Sequence, residues 1–131
     1  MAQTHADIGA AEQKNLRLAM LAARSMHEQR GDDIVVLDMR GLAAFADFFV
    51  ICSASSLTRA RGICRLVEKN LAQNGGAALN KPDYGSGWIL ADFGDVLVHI
   101  FDERSRDFYQ LEELWGDAPR IDWEKESTDN D

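Results

Sequence analysis

Apolar positions along the chain follow two rhythms. Across residues 12–29, Leu16, Met20, Ala23 and Met26 recur at helical spacing, while Arg17, Arg24 and Glu28 fall mostly off that stripe. The spacing predicts an amphipathic helix with one buried face. Gly31 follows its last turn, where a left-handed residue is expected to end it. Residues 57–73 repeat the pattern through Ile63, Leu66, Val67 and Leu71, and Asn74-Gly75-Gly76 stop it. Ser53, Ser55 and Ser56 precede this helix and offer capping hydroxyls to its first turn. A third helix is predicted over residues 103–115, with Phe108, Leu111, Leu114 and Trp115 on its apolar side and Gly116 and Pro119 ending it.

Between these segments the period shortens. Residues 33–37 and 48–52 are unbroken apolar runs rich in β-branched and aromatic side chains, as expected of strands buried on both faces. Residues 42–45 suit a helical turn, residues 77–79 a further short strand, and residues 82–87 a glycine-containing loop. Residues 88–92 and 96–101 flank Gly94-Asp95, a two-residue hairpin signal. With that turn, Phe93 pairs with Val96, Asp92 with Leu97, Ala91 with Val98, Leu90 with His99, Ile89 with Ile100 and Trp88 with Phe101. Alternation then puts Ile89, Ala91, Phe93, Val96, Val98 and Ile100 on one face, wholly apolar and expected against the core helices. The other face holds Trp88, Leu90, Asp92, Leu97, His99 and Phe101. Such a face is either covered from within by the last helix or left open as a contact surface, since contiguous exposed apolar patches mark interaction sites. The predicted fold is α/β in the α+β sense: a mixed sheet of about five strands flanked by helices.

Composition narrows the function. A chain of 131 residues with 46% hydrophobic content suits a single domain, placed here at residues 11–116, with a flexible N-terminus at 1–10 and an acidic, disordered tail at 117–131. No leader-like or membrane-spanning apolar run is present in the sequence, so a cytoplasmic location is expected. The net charge of −8 opposes tight, sequence-independent binding to nucleic acid, which needs clustered cations. Cys52 and Cys64 are too far apart for a zinc or redox motif and read as buried, reduced thiols. Asp92, Asp95, His99 and Asp102 are close in sequence, but the hairpin alternation does not make them converge on a metal. The serines at 53, 55 and 56 lack the glycines and lysine of a phosphate loop, and Gly85-Ser86-Gly87 lacks the flanks of a nucleophile elbow. No catalytic grouping, metal site or cofactor is expected, and docking on a macromolecule is the favoured function.

Three blocks carry a resemblance. They are Asp47-Phe48-Phe49-Val50-Ile51-Cys52, the stretch 87–101 from Gly87-Trp88 through Asp92-Phe93-Gly94-Asp95 to His99 and Phe101, and Phe108-Tyr109-Gln110-Leu111-Glu112-Glu113-Leu114-Trp115. Together they resemble the ribosomal silencing factor family (RsfS, or Iojap), over roughly residues 15–115. The resemblance implies a nucleotidyltransferase-like fold without the catalytic carboxylates. It also implies binding to the large ribosomal subunit through its universal protein fourteen, a steric block to small-subunit joining that represses translation, a role in large-subunit biogenesis, and homodimers of the free protein. By position it assigns partner contacts to Trp88, Leu90, His99, Tyr109 and Leu111. The sequence departs from the family pattern at Lys81-Pro82-Asp83-Tyr84-Gly85-Ser86, where a Glu-Gly pair is usual, at Arg59, where a His is common, and at Ala54, which replaces a common Gly. Two other readings stand beside it: a divergent nucleotidyltransferase-like enzyme, and a dimeric assembly module with another partner.

Overall fold

The computed structural model describes residues 2–125, with side chains from Gly9 onward. The chain runs α1 (Ala2–Glu28), β1 (Asp32–Asp38), β2 (Phe48–Ala54), α2 (Leu57–Ala72), β3 (Trp88–Asp92), β4 (Val96–Asp102), α3 (Glu103–Tyr109), α4 (Leu111–Leu114) and β5 (Arg120–Ile121). One sheet has the order β3-β4-β2-β1-β5. β2 and β4 are parallel, and the other neighbours are antiparallel.

The hairpin register is the one the turn chemistry predicts, from Trp88↔Phe101 to Asp92↔Leu97, with the Phe93 N–H donating to the Val96 carbonyl at 3.0 Å. Gly94 takes φ +88°, a value that only glycine adopts without cost. Asp92 Oδ1 accepts from the Gly94 N–H at 2.8 Å and tightens the turn.

Each sheet face buries its own cluster. On one side Val36, Phe48, Val50, Cys52, Ile89, Ala91, Val98 and Ile100 pack against Ala19, Ala22, Ala23 and Met26 of α1 and Ile63, Val67 and Leu71 of α2. On the other, Leu37, Phe49, Ile51 and Phe101 pack with Met39, Ala46, Leu111 and Ala118. β2 lies at the centre and is buried along its whole length, as its unbroken apolar run requires. Ser56 caps α2, its hydroxyl accepting from the Arg59 N–H at 3.1 Å. Ser53 belongs instead to β2 and is buried.

Several sequence expectations are corrected. Arg30, not Gly31, takes the left-handed turn after α1, with φ +62°. Gly31 serves close packing, because a Cβ there would stand 3.2 Å from Cys52 Sγ. β1 is not buried on both faces at its start: Asp32 and Asp33 are exposed and a register shift separates Asp32 from Val35. Residues 42–45 form turns and not a helix. Residues 77–79 form no strand. The Leu79 N–H does bond the Asp92 carbonyl at 2.7 Å, and Asn80 brackets the same edge: its amide nitrogen donates to the Leu90 carbonyl and its oxygen accepts from the Asp92 N–H. The fifth strand lies in the segment read as tail. Arg120 and Ile121 pair with Leu37 and Val36, Ala118 is buried, and the Trp123 indole N–H donates to the Ile34 carbonyl. Apolar residues spaced through 118–123 give that acidic stretch something to bury. Residues 126–131 of the expected tail lie outside the described residues, and the expected flexible N-terminus is helical from Ala2. Among the described residues, no helix is long and apolar enough to cross a membrane.

Candidate docking site

The last helix breaks where the sequence predicts a continuous one. Gln110 adopts φ +47° and ends α3, its N–H donating to the Arg106 carbonyl. The chain then turns into the short α4. A continuous helix would align Phe108, Leu111, Leu114 and Trp115 on one buried stripe. The break buries Leu111 and half-buries Trp115, and it turns Phe108 and Leu114 outward at 79% and 73% exposure. Arg106 braces the bend. Its guanidinium donates to both Glu112 oxygens at 2.9 and 3.0 Å and to Ser53 Oγ at 2.9 Å. A bidentate, half-buried pair of this kind holds geometry better than an exposed one.

The second face of the hairpin is partly covered and partly open. Phe101 and His99 are buried, Trp88 is half-buried, and Leu90 and Tyr109 are exposed. Aromatic rings run across this face in unbroken contact. Phe108 meets Tyr109 at 5.0 Å between centroids, Tyr109 meets Trp88 at 4.8 Å, Trp88 meets His99 at 5.9 Å, and His99 meets Phe49 at 4.7 Å. Phe49 continues to Trp115 and to Phe45, which is 58% exposed. Tilted and edge-on rings at such separations add attraction beyond the area they bury.

Beneath the open rings sits one hydrogen bond. The Trp88 indole N–H donates to His99 Nδ1 at 3.1 Å. Nδ1 therefore carries the lone pair, and the neutral imidazole keeps its proton on Nε2. Nε2 is buried and has no partner among the described residues. Burial alone pushes the imidazole down to about 3, so His99 is neutral at physiological pH. Trp88 is thus held from below by an uncharged acceptor.

Gly87 sets where Trp88 enters the sheet. Its φ is +80°, and an added Cβ would lie 2.6 Å from both Asp102 Oδ2 and Ser105 Oγ. Its carbonyl accepts from the Asp102 N–H, and Asp102 in turn caps α3 through Ser105. Replacing Gly87 with Ala is expected to destabilise the fold by about 1–2 kcal/mol, read as a lower urea midpoint at unchanged slope.

Of the five contact residues assigned by resemblance, the structure brings Trp88, Leu90 and Tyr109 to one surface. His99 and Leu111 are 3% and 8% exposed and act from beneath, as an acceptor and as packing. Sequence reasoning missed Phe108 and Leu114 as exposed apolar groups, because a residue at a left-handed break looks like any other helical residue; it missed Phe45 because residues 42–45 form turns and not a helix. Glu103 and Asp107 lie on the helix that carries Phe108 and Tyr109. A shallow depression of about 570 Å³ beside α3 and α4 is edged by Asp33, Glu103, Asp107, Glu112 and Glu113, against Arg106 and Arg120.

The carboxylates weighed for a metal site are engaged elsewhere. Asp95 accepts from Asn15, Asp92 closes the hairpin turn and Asp102 caps α3. Among the described residues no group of three metal-ligating side chains comes together. Burial pushes both cysteine thiols up to about 12, away from nucleophilic character.

The fold is thus an α+β domain on a mixed five-stranded sheet, and it is shared with solved proteins. A crystal structure from Chromobacterium violaceum superposes with a TM-score of 0.74 at 27% identity, covering 78% of this chain and 86% of that one. One from Bacillus halodurans gives 0.70 at 31% identity, covering 82% and 99%. The chain belongs to the family described as ribosomal silencing factor during starvation, which matches residues 12–131. It is 38% identical to the ribosomal silencing factor RsfS of Bacillus subtilis over 78% of this chain and 87% of that protein. It is 34% identical to the chloroplastic protein Iojap of Zea mays over 82% of this chain and 47% of that one.

Proposed function

We propose that this chain docks on the large ribosomal subunit through a ribosomal protein, the universal protein fourteen, and bars the small subunit from joining, so that translation is repressed. It acts in the cytoplasm by occupying space and not by catalysis. The observation that carries this reading is the open row of Leu90 and Trp88 on the edge strand β3 and Tyr109 and Phe108 on α3. Aromatic anchors in a desolvated centre dominate binding energy at interfaces. A net charge of −8 suits a basic ribosomal protein, since complementary fields steer encounter. Membership of the silencing-factor family supports the choice of the ribosome as target. In the free protein the same row is the face on which two copies would pair.

The test is co-sedimentation with isolated large subunits, followed by a joining assay with small subunits. The chain is expected to travel with large subunits and to lower the yield of joined ribosomes. Absence from the large-subunit fraction at moderate salt would remove the reading. Phe108 and Leu114 are exposed, so changing both to Ser should leave thermal stability nearly unaltered. Affinity for the large subunit should fall by about tenfold, as expected when an aromatic and an aliphatic contact are removed from a docking surface.

A further inference from the structure

The chain-wide charge of −8 conceals a sharp division. The segments of α1 and α2 carry seven of the 14 Lys and Arg residues against four carboxylates, whereas the remainder carries seven against eighteen. Both helices lie on the sheet face opposite the aromatic row. On α2, Arg61, Arg65 and Lys69 are exposed and follow one another at one-turn intervals, forming a ridge along the helix. Their carboxylate neighbour Glu68 is engaged elsewhere, accepting from Cys64 Sγ. On α1, Lys14, Arg17 and Arg24 line a groove of about 550 Å³ together with Asn74. Arg24 Nε is buried there with no hydrogen-bond partner among the described residues. None of these six cations takes part in an ion pair among the described residues.

We infer that the outer face of α1 and α2, centred on the ridge Arg61, Arg65 and Lys69, binds the phosphate backbone of RNA. The chemistry favours a polyphosphate. Four of the six cations are Arg, whose planar donors match phosphate oxygens, and a ridge of charges at regular intervals suits a chain of regularly spaced anions. The position favours RNA over an acidic protein. α2 packs over β3 and β4, and β3 is the edge strand that bears Trp88. Arg61 stands over the Tyr84 ring at 5.5 Å, in the loop that leads into Trp88. The basic ridge therefore approaches the edge of the domain that carries Trp88 and the aromatic row. A partner that offers basic protein and polyanion within that width is a ribonucleoprotein. The choice of ribosomal RNA rests on the docking reading above; the phosphate chemistry does not.

The experiment measures affinity for large subunits across a series of monovalent salt concentrations, with the wild-type chain and with Arg61→Gln/Arg65→Gln/Lys69→Gln. These side chains are exposed, so the variant should fold, and circular dichroism checks that it does. Each lost phosphate contact should lower the slope of log affinity against log salt by about 0.7–0.9 units, so the triple variant should lose about 2–3. Its affinity at low salt should fall by about tenfold or more. Large-subunit ribosomal RNA stripped of protein should bind the wild-type chain and the Trp88→Ala chain alike at low salt, and the triple variant much less. Unchanged slope and affinity in the triple variant would overturn the inference and leave the docking reading intact. Displacement by polyglutamate as effective as by RNA would assign the ridge to an acidic protein and also overturn it. Cation-dependent binding of stripped RNA without binding of whole subunits would reject the docking reading and uphold the phosphate face. A wild-type chain that bound neither would end both.

Discussion

Trp88→Ala is expected to weaken binding to the large subunit by about 2–3 kcal/mol, a loss of roughly 30- to 150-fold. The indole lies at the centre of the ring row, touching Tyr109, Phe101 and His99. Its loss removes the anchor and also the support on which Tyr109 rests. Part of the effect would appear as lower stability, because Trp88 packs on the second buried cluster. Trp88→Phe separates the two contributions. It keeps a ring against Phe101 and Tyr109 but cannot donate to His99 Nδ1. Affinity should therefore fall less than in the alanine variant, and urea denaturation should report the cost of leaving His99 without a donor. Equal affinity of wild-type and Trp88→Ala chains, with both folded, would move the docking site away from this face.

Acid should loosen the fold through His99. Burial among Phe49, Phe101 and Trp88 holds its pKa at about 3, against an ordinary value of 6.5. In the window between those values the unfolded chain binds a proton that the folded chain refuses. Stability must then rise with pH across the window and fall as pH drops from about 6.5 toward about 3, by at most about 1.4 kcal/mol per pH unit from this residue. Carboxylates add to the same trend: the Arg40 guanidinium bonded to Asp38 holds that carboxyl below its usual range, so its contribution is also lost in acid. His99→Leu isolates the histidine. Its urea stability, followed from pH 7 to pH 4, should decline less steeply than that of the wild type. Parallel curves for the two proteins would mean that His99 titrates normally and is not sealed from water. The same sealing keeps the acceptor under Trp88 uncharged at physiological pH, so the docking surface should not respond to pH near neutrality.

Local chemistry made much of this legible in the sequence. Gly94-Asp95 sets the hairpin register, and register decides which side chains share a face. The stripes of α1 and α2 and the central strand are read from period alone. What escaped had causes beyond the segment concerned. The break at Gln110 is held by Arg106 reaching Glu112 across the bend and Ser53 on a strand far away in sequence. Without that brace, Phe108 and Leu114 look like core residues. The fifth strand escaped because Ile121 and Trp123 are scattered among charges and find their partners on β1 and α1, far away in sequence. The net charge misled in another way. A sum over the chain cannot show that the segment of α2 carries four cations against one carboxylate.

The bracket that Leu79 and Asn80 place on β3 has a consequence for solubility. An outer strand with free main-chain donors and acceptors is a template on which other chains can add and grow into aggregates. Here the Asn80 amide takes up both the Leu90 carbonyl and the Asp92 N–H, so the carboxamide stands in for a neighbouring strand without offering an edge of its own. At the far margin, β5 is only two residues long and offers little to extend. With the sheet margins closed in this way, contact between copies through the exposed aromatic row that we propose for docking is left to side chains, where specificity can be built.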